Sequence, residues 1–182
     1  AIAHKLEDKD CLMSVTNNLG VLYYQTGRRQ ETLKQLETAY ALSVEQNNVK
    51  SAHVLNNLGS TFQSLGYIER AIDCFRTALA IHKKNQDLSG VSASLNSLGI
   101  SFAETGDWET ACSYLEDALD LRRQIGDRSR EAVTLSSLGR VHTRLAKFDQ
   151  AITYFENAIA IQNDIGDMLS AADTLSSMGN LY

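Results

Sequence analysis

The chain has 182 residues, 43% of them hydrophobic, and a formal net charge of −5. This length and apolar content can bury a substantial core, whereas the acidic balance argues against a nucleic-acid partner, which a basic face normally marks. No apolar run reaches the length that crosses a bilayer, which argues against a membrane association, and three cysteines without a regular spacing favour a reducing, cytoplasmic location over a disulfide framework.

A triplet of Asn or Ser, Leu or Met, and Gly recurs five times and sets the period of the chain. Its glycines are Gly20, Gly59, Gly99, Gly139 and Gly179, spaced 39, 40, 40 and 40 residues apart. A period of this size predicts stacked copies of one supersecondary unit rather than one compact core. Such arrays work through an extended surface, so the repeat points to binding more strongly than to chemistry.

Fixed offsets after each glycine indicate two helices per repeat. Three residues on stands an aromatic residue or histidine, namely Tyr23, Phe62, Phe102, His142 and Tyr182. Seven residues on stands a small residue, namely Gly27, Gly66, Gly106 and Ala146. Apolar or small residues then follow at offsets of 12, 16, 19 and 22 residues. Because these offsets differ by three or four, the residues share one face of an α-helix.

The predicted elements alternate between a first helix (A), which carries the triplet, and a second helix (B). In chain order they are a B stub at 1–7, then A 11–25, B 28–46, A 51–65, B 68–85, A 91–105, B 108–125, A 131–145, B 148–165 and A 171–182. The small residue at offset seven is expected to end each A helix in the left-handed conformation, which Ala146 adopts less readily than glycine. Asp127 and Asp167 each follow a glycine and are expected to cap the next A helix.

This pattern resembles the tetratricopeptide repeat, a pair of antiparallel helices joined by a short turn. The resemblance covers essentially the whole chain and implies an all-α fold, a right-handed α-α superhelical solenoid. The period near 40 residues and the absence of proline depart from the common repeat of about 34 residues. Both departures suit a long-repeat subclass resembling the Partner-of-Inscuteable and kinesin light chain repeats.

The phase of the repeat predicts one array over residues 1–182, with about four complete repeats and a partial repeat at each end. The chain is therefore expected to be part of a longer protein. Because neither end carries a polar capping helix, self-association through these ends is a further expectation.

The resemblance implies that the A helices line a concave groove. The residue three before each glycine would then form a ladder along it, namely Asn17, Asn56, Asn96, Ser136 and Ser176. An amide offers a donor and an acceptor, so these side chains are predicted to pair with the backbone of an extended peptide. The alternative is that they bind neighbouring helices or water.

Adjacent positions are predicted to set specificity. Arg140 and Arg144 lie four residues apart on one helix face and are expected to bind a carboxylate, unless Glu104 neutralises them as an ordinary solvated pair. Tyr24 and Gln63 are also predicted to contact a peptide, and Val21 and Ile100 to supply apolar contacts.

The sequence contains no nucleophile, phosphate-loop or metalloprotease motif, and the histidines lack metal-ligand spacing, so no catalytic residue, metal or cofactor is predicted. The favoured function is a non-enzymatic scaffold or adaptor that binds a protein or peptide partner. The alternative is a ligand- or peptide-sensing module of a larger bacterial regulatory or signalling protein.

Overall fold

The computed structural model describes residues 2–46 and 48–179, and the side chains of residues 9–45 and 48–179. Within these ranges all regular structure is helical, which confirms the predicted all-α class. The helices are α1 (Ile2–Gln25), α2 (Arg29–Gln46), α3 (Val49–Ser64), α4 (Ile68–Lys84), α5 (Leu88–Thr105), α6 (Trp108–Ile125), α7 (Arg128–Arg144), α8 (Phe148–Asp164) and α9 (Met168–Gly179). The odd-numbered helices are the A helices and the even-numbered helices are the B helices. None of the described helices is long and apolar enough for a bilayer crossing.

Two predicted boundaries are wrong. The stub at 1–7 and the helix from 11 form one continuous helix, α1. Glu7 stands where Gly126 and Gly166 end later helices, so the chain lacks the residue that would favour a left-handed break. The later A helices also begin earlier than predicted, α3 by two residues and α5, α7 and α9 by three, because each starts directly after its cap.

The predicted caps are confirmed at these starts. The Asp127 carboxylate accepts a hydrogen bond from the Arg130 backbone N–H at 3.1 Å, and Asp167 accepts one from Ser170 at 3.1 Å. Asn48 caps α3 through a capping box with Ser51. Of the aromatic series, Tyr182 lies outside the described residues.

The described helices form two compact units, one reaching Ser94 and one beginning at Leu95. In the first unit, α1 packs on α2, α3 packs on α4, and α3 also contacts both α1 and α2. In the second unit, α7 packs between α6 and α8, and α9 packs on α8. The core of each unit includes the predicted stripe, with Leu36 and Phe75 fully buried in the first unit and Leu115 and Phe155 in the second, and it is completed by A-helix residues such as Leu58 and Leu138.

The triplet glycines allow close helix approach. A methyl group on Gly59 would lie 2.5 Å from the Phe75 ring, and one on Gly139 would lie 2.6 Å from the Phe155 ring. The equivalent position at Gly179 has no atom of the described residues within 4 Å, because none of the described helices covers α9 there. The glycine therefore allows a short distance between the A helix and the B helix that follows it.

We expect Gly59→Ala to lower the free energy of unfolding by about 1–3 kcal/mol, because the added methyl group displaces the Phe75 ring. Gly179→Ala is the matched control, since it makes the same change in open space. Chemical denaturation of both variants tests this, and equal midpoints would contradict the spacing role.

The turns after the A helices use the predicted left-handed residue. Gly66 and Gly106 have φ values of 82° and 86°, and nothing lies within 4 Å of a methyl group added to either. Ala146 occupies the same conformation with φ 57°. The fourth turn thus keeps the shape of the others, and the Ala146 side chain strains the backbone there.

We therefore expect Ala146→Gly to stabilise the protein by about 1 kcal/mol, by relieving the left-handed strain. Gly106→Ala should cost a similar amount. Thermal unfolding measures both effects, and a lower melting temperature for Ala146→Gly would show that the entropy of the unfolded glycine outweighs the strain.

Candidate binding grooves on the A helices

A shallow groove of about 560 Å³ lies between α1 and α3 in the first unit. Its lining includes Asn17, Val21, Gln25 and Ser60 and carries no charged side chain. The predicted residues Asn17 and Val21 thus come together here. Tyr24 and Gln63 are not among the lining residues of this groove, and Tyr24 is 40% exposed.

A second groove, of about 390 Å³, lies among α5, α6 and α7 in the second unit. Ile100, Trp108 and Val141 give it apolar walls, and the exposed Arg140 and Arg144 line it together as predicted. The Arg144 guanidinium carbon lies 6.0 Å from the Trp108 ring centre, within reach of a cation–π contact.

The arginine pair is held loosely. Arg140 donates a hydrogen bond to the Ser137 hydroxyl at 3.3 Å, and Glu104 lines the same groove. A further cavity of about 490 Å³ on the other side of the pair is lined by Arg140, Arg144, Phe155 and Ser177. The pair can therefore reach a ligand from either side.

The ladder residues are more buried than the sequence suggests. Asn96 is 8% exposed and Asn17 is 5% exposed. The Asn96 carbonyl oxygen accepts hydrogen bonds from Arg122 at 3.1 Å and from Thr134 at 3.2 Å. The Asn56 carbonyl oxygen accepts one from the Ser94 hydroxyl at 3.0 Å. The Asn56 and Asn96 carbonyls thus bind neighbouring helices, as in the alternative interpretation.

The ends of the ladder differ from its middle. The Ser136 hydroxyl lies 2.9 Å from the Thr174 hydroxyl. The Asn17 carbonyl oxygen is buried and has no hydrogen-bond partner among the described residues. Val54 stands at the position of Ser94 and Thr134 in the repeat, so the donor that serves Asn56 and Asn96 is absent here.

Sequence reasoning missed a row of buried polar residues on the B helices. They lie 23 residues after each glycine and are 0–3% exposed: Ser43, His82, Arg122 and Gln162. They directly follow the last apolar position of the repeat, 22 residues after the glycine. Polarity in all four copies, directly beside the core stripe, was the available signal.

Arg122 is a buried guanidinium bound only to neutral acceptors among the described residues. Besides Asn96, it donates to the Arg130 carbonyl oxygen at 2.7 Å and to the Thr134 hydroxyl. Its Nε atom is buried without a partner. Burial lowers the pKa of Arg122 to about 10, partly opposed by the Asp127 carboxylate. The side chain stays charged at neutral pH.

His82 is the corresponding residue of the first unit. Its Nδ1 atom lies 2.8 Å from an Asp87 carboxylate oxygen, in a direction too oblique for a hydrogen bond, so the contact is electrostatic. Its Nε2 atom lies 3.5 Å from the Asn56 amide nitrogen. Burial lowers the pKa of His82 despite the raising effect of Asp87. Gly90 packs so closely on this ring that a methyl group there would lie 2.1 Å from Nδ1.

The cysteines are not activated. Cys74 is 1% exposed, and burial raises the pKa of its thiol to about 12. Cys112 lies 3.6 Å from His142 Nδ1, but burial raises the pKa of Cys112 and lowers the pKa of His142. Both members are therefore neutral at physiological pH. In the described part of the chain, no group of three His, Cys, Asp or Glu side chains suits a metal ion.

A profile of the tetratricopeptide repeat matches residues 11–84 and 90–164. The chain belongs to the tetratricopeptide repeat family. This membership confirms the predicted family and α-α solenoid fold class. No curated protein matches the chain.

Solved tetratricopeptide-like structures share the fold. BtubC (BKLC) from P. vanneervenii is 25% identical, with a TM-score of 0.78, over 87% of this chain and 66% of that protein. Kinesin light chain-type repeats from Podosopora anserina are 18% identical, with a TM-score of 0.79, over 96% of this chain and 86% of that one. Aspartyl phosphate phosphatase F from Bacillus subtilis is 18% identical, with a TM-score of 0.77, over 97% of this chain and 44% of that protein. The chain thus spans less than two thirds of BtubC and of the phosphatase, and the long-repeat resemblance is confirmed at the level of fold.

The two buried histidines make the stability of these repeats depend on pH. Burial lowers the pKa of His82 and of His142 below the ordinary 6.5. Below that pH the unfolded chain binds protons that the folded chain does not, so stability falls on acidification. The pKa of Asp87 is also lowered, mainly by the Gly90 backbone N–H, but its contribution is lost only as the pH falls below its ordinary 3.8.

We expect the melting temperature to fall as the pH is lowered from about 7.5 to about 5.5. The double variant His82→Gln/His142→Phe should flatten this dependence of melting temperature on pH. Each substitution introduces the uncharged residue that stands at the equivalent position of another repeat, as in Gln162 and Phe102. Scanning calorimetry across this range tests it, and parallel slopes for the two proteins would exclude these histidines as the cause.

Proposed function

We propose that the chain is a non-catalytic protein-interaction module that binds an extended segment of a partner protein along its A helices. The arginine pair carries this proposal, since Arg140 and Arg144 are exposed beside the apolar surface of Trp108 and Ile100. A site of this composition favours a segment with an acidic side chain next to an apolar one.

The chemistry of the pair supports carboxylate binding. A guanidinium presents a planar set of donors that matches a carboxylate, and two of them four residues apart can hold one acid or two neighbouring acids. The apolar walls add contact area without opposing charge. Glu104 at the same groove would compete with an acidic ligand and limit binding to segments that displace it.

The groove between α1 and α3 suits a different part of a segment. Its lining combines amide and hydroxyl side chains with Val21 and Leu22 and carries no charged side chain. An extended peptide backbone supplies N–H donors whatever its side chains are, so this groove is suited to sequence-independent contact.

The alternative, a sensing module of a bacterial regulator, draws on the shared fold with the phosphatase of Bacillus subtilis. At 18% identity this likeness concerns the fold alone. Peptide retention by the isolated chain separates part of this alternative: a scaffold or a peptide sensor retains peptides by side-chain complementarity, while a sensor of small ligands retains none.

We expect a random-peptide phage library to yield acidic peptides on the purified chain. Arg140→Glu/Arg144→Glu should weaken a selected peptide at least about tenfold, because attraction becomes repulsion. Lys83→Glu/Lys84→Glu is the matched control, because it makes the same charge change at exposed residues of α4. Calorimetric titration gives the affinities, and equal losses in both variants would reduce the effect to net charge.

A further inference from the structure

The first four ladder residues, Asn17, Asn56, Asn96 and Ser136, each have two neighbours behind them. The first is the buried B-helix residue 23 after the glycine, which we call the backing residue: Ser43, His82, Arg122 and Gln162. The second lies on the next A helix, five residues before its glycine: Val54, Ser94, Thr134 and Thr174. Each such group of three lies within one of the two units. These neighbours decide which end of each ladder amide is already in use.

At Asn96 the carbonyl end is turned toward the B helix. Its oxygen accepts from Arg122 at 3.1 Å, and the Thr134 hydroxyl lies 3.2 Å away and donates its one hydrogen either to this oxygen or to the Arg130 carbonyl oxygen at 3.1 Å. Arg122 is itself fixed by the Arg130 carbonyl oxygen at 2.7 Å. Rotating the amide by half a turn would place its NH2 group against the guanidinium. The orientation of Asn96 is therefore determined from the B-helix side.

The free end of Asn96 is its NH2 group. No acceptor for this nitrogen occurs among the described residues, and it is not one of their buried unpaired atoms. A neutral amide would ordinarily offer a donor and an acceptor to a ligand. Held in this way, Asn96 offers donors alone.

Asn56 shows a related arrangement in the other unit. Its oxygen accepts from Ser94 at 3.0 Å, and its nitrogen lies 3.5 Å from His82 Nε2. Asn17 provides the contrast within the same chain. There the backing hydroxyl of Ser43 donates to the Ala39 carbonyl oxygen of its own helix, Val54 has no donor, and the amide oxygen is left without a partner.

We propose that Arg122 is a specificity-determining residue of the second unit: by holding the Asn96 carbonyl from behind, it makes this ladder amide a donor-only site for an acceptor oxygen of the bound segment. The acceptor is a main-chain carbonyl or a side-chain carboxylate. This inference rests on the proposed function, since it specifies what one ladder position recognises.

The charge of Arg122 strengthens the preference for an oxygen acceptor. Its hydrogen bonds in the described chain go only to neutral oxygens, while the nearby Asp127 carboxylate binds Arg130 at 2.7 Å and Glu131 binds Arg123 and Arg128 at 3.1 Å each. A cation at the carbonyl end of an amide polarises the group and makes its N–H a stronger donor.

The positioning by Arg122 can be measured without any ligand. The carbon-13 chemical shift of the Asn96 side-chain carbonyl reports its hydrogen bonds. We expect wild type and Arg122→Lys to share this shift, because lysine keeps a charged donor, and Arg122→Met to move it upfield. A folded Arg122→Met protein with an unchanged shift overturns the positioning role. Should that variant unfold, Arg122→Ser also removes this donor and reproduces the pairing of Asn17 with Ser43, whose hydroxyl bonds its own helix, and an unchanged shift there has the same meaning.

The donor-only role is tested with Asn96→Asp. The aspartate keeps oxygen acceptors for Arg122 and Thr134, so the fold is retained while the NH2 donors are removed. Peptides selected from a random dodecapeptide phage library on the wild-type chain should bind Asn96→Asp at least about tenfold more weakly. Undiminished binding overturns the inference and leaves the proposed function standing.

Two further outcomes separate the remaining cases. A library that enriches nothing on the folded wild-type chain overturns the proposed function, and the carbonyl shift then decides the role of Arg122 alone. If peptides are enriched, alanine replacement of each acidic residue identifies the acceptor. If alanine at one acidic peptide position weakens binding to the wild-type chain but not to Asn96→Asp, the acceptor is that carboxylate. If no acidic position behaves in this way, the acceptor is a main-chain carbonyl.

Discussion

Close approach of two helices at a glycine is the contact on which the rest of each repeat depends. At Gly59 and Gly139 the phenyl ring of the following helix occupies the space of a side chain. Gly20 and Gly99 meet Leu36 and Leu115 in the same way. Because this contact sets the distance between the A and B helices, it also sets how far a B-helix side chain reaches toward the A-helix surface. The polar contacts of the ladder follow from that spacing.

Each unit combines a conventional apolar stripe with a polar row directly beside it. The stripe supplies most of the stabilisation by removing apolar area from water. Burying the polar row instead costs free energy, because a buried amide or guanidinium loses its hydrogen bonds to water and needs partners within the protein. Asn96 and Thr134 each have a hydrogen-bond partner in this row, whereas the Arg122 Nε atom, the Asn17 oxygen and the Gln162 side-chain oxygen have none in the described chain. The copies thus share one backbone and differ in the polar chemistry behind the groove.

This difference bears on how a repeat surface acquires specificity. In the proposed function the exposed Arg140 and Arg144 act on a ligand directly, through charge and shape. In the further proposal the buried backing residues touch no ligand, yet they determine whether a ladder amide presents N–H groups or a carbonyl oxygen. Substitution on the B helices can therefore change recognition while the A-helix surface keeps its residues.

The left-handed turn residues, the Asp caps and the core stripe could all be predicted from the sequence, because each depends on residues within one or two helical turns of each other. The period could be predicted because the glycine triplet recurs every 39 or 40 residues. The same holds for the pairing of Arg140 with Arg144 on one face of α7. The start of α1 was mispredicted because it lacks the glycine that breaks later helices. The state of the ladder was beyond prediction: the partners of Asn96 stand 26 and 38 residues along the chain. Only the packing of α5 against α6 and α7 decides that the Arg122 side chain points inward and binds Asn96. From the sequence alone, a single arginine at that position is expected to be a solvated side chain.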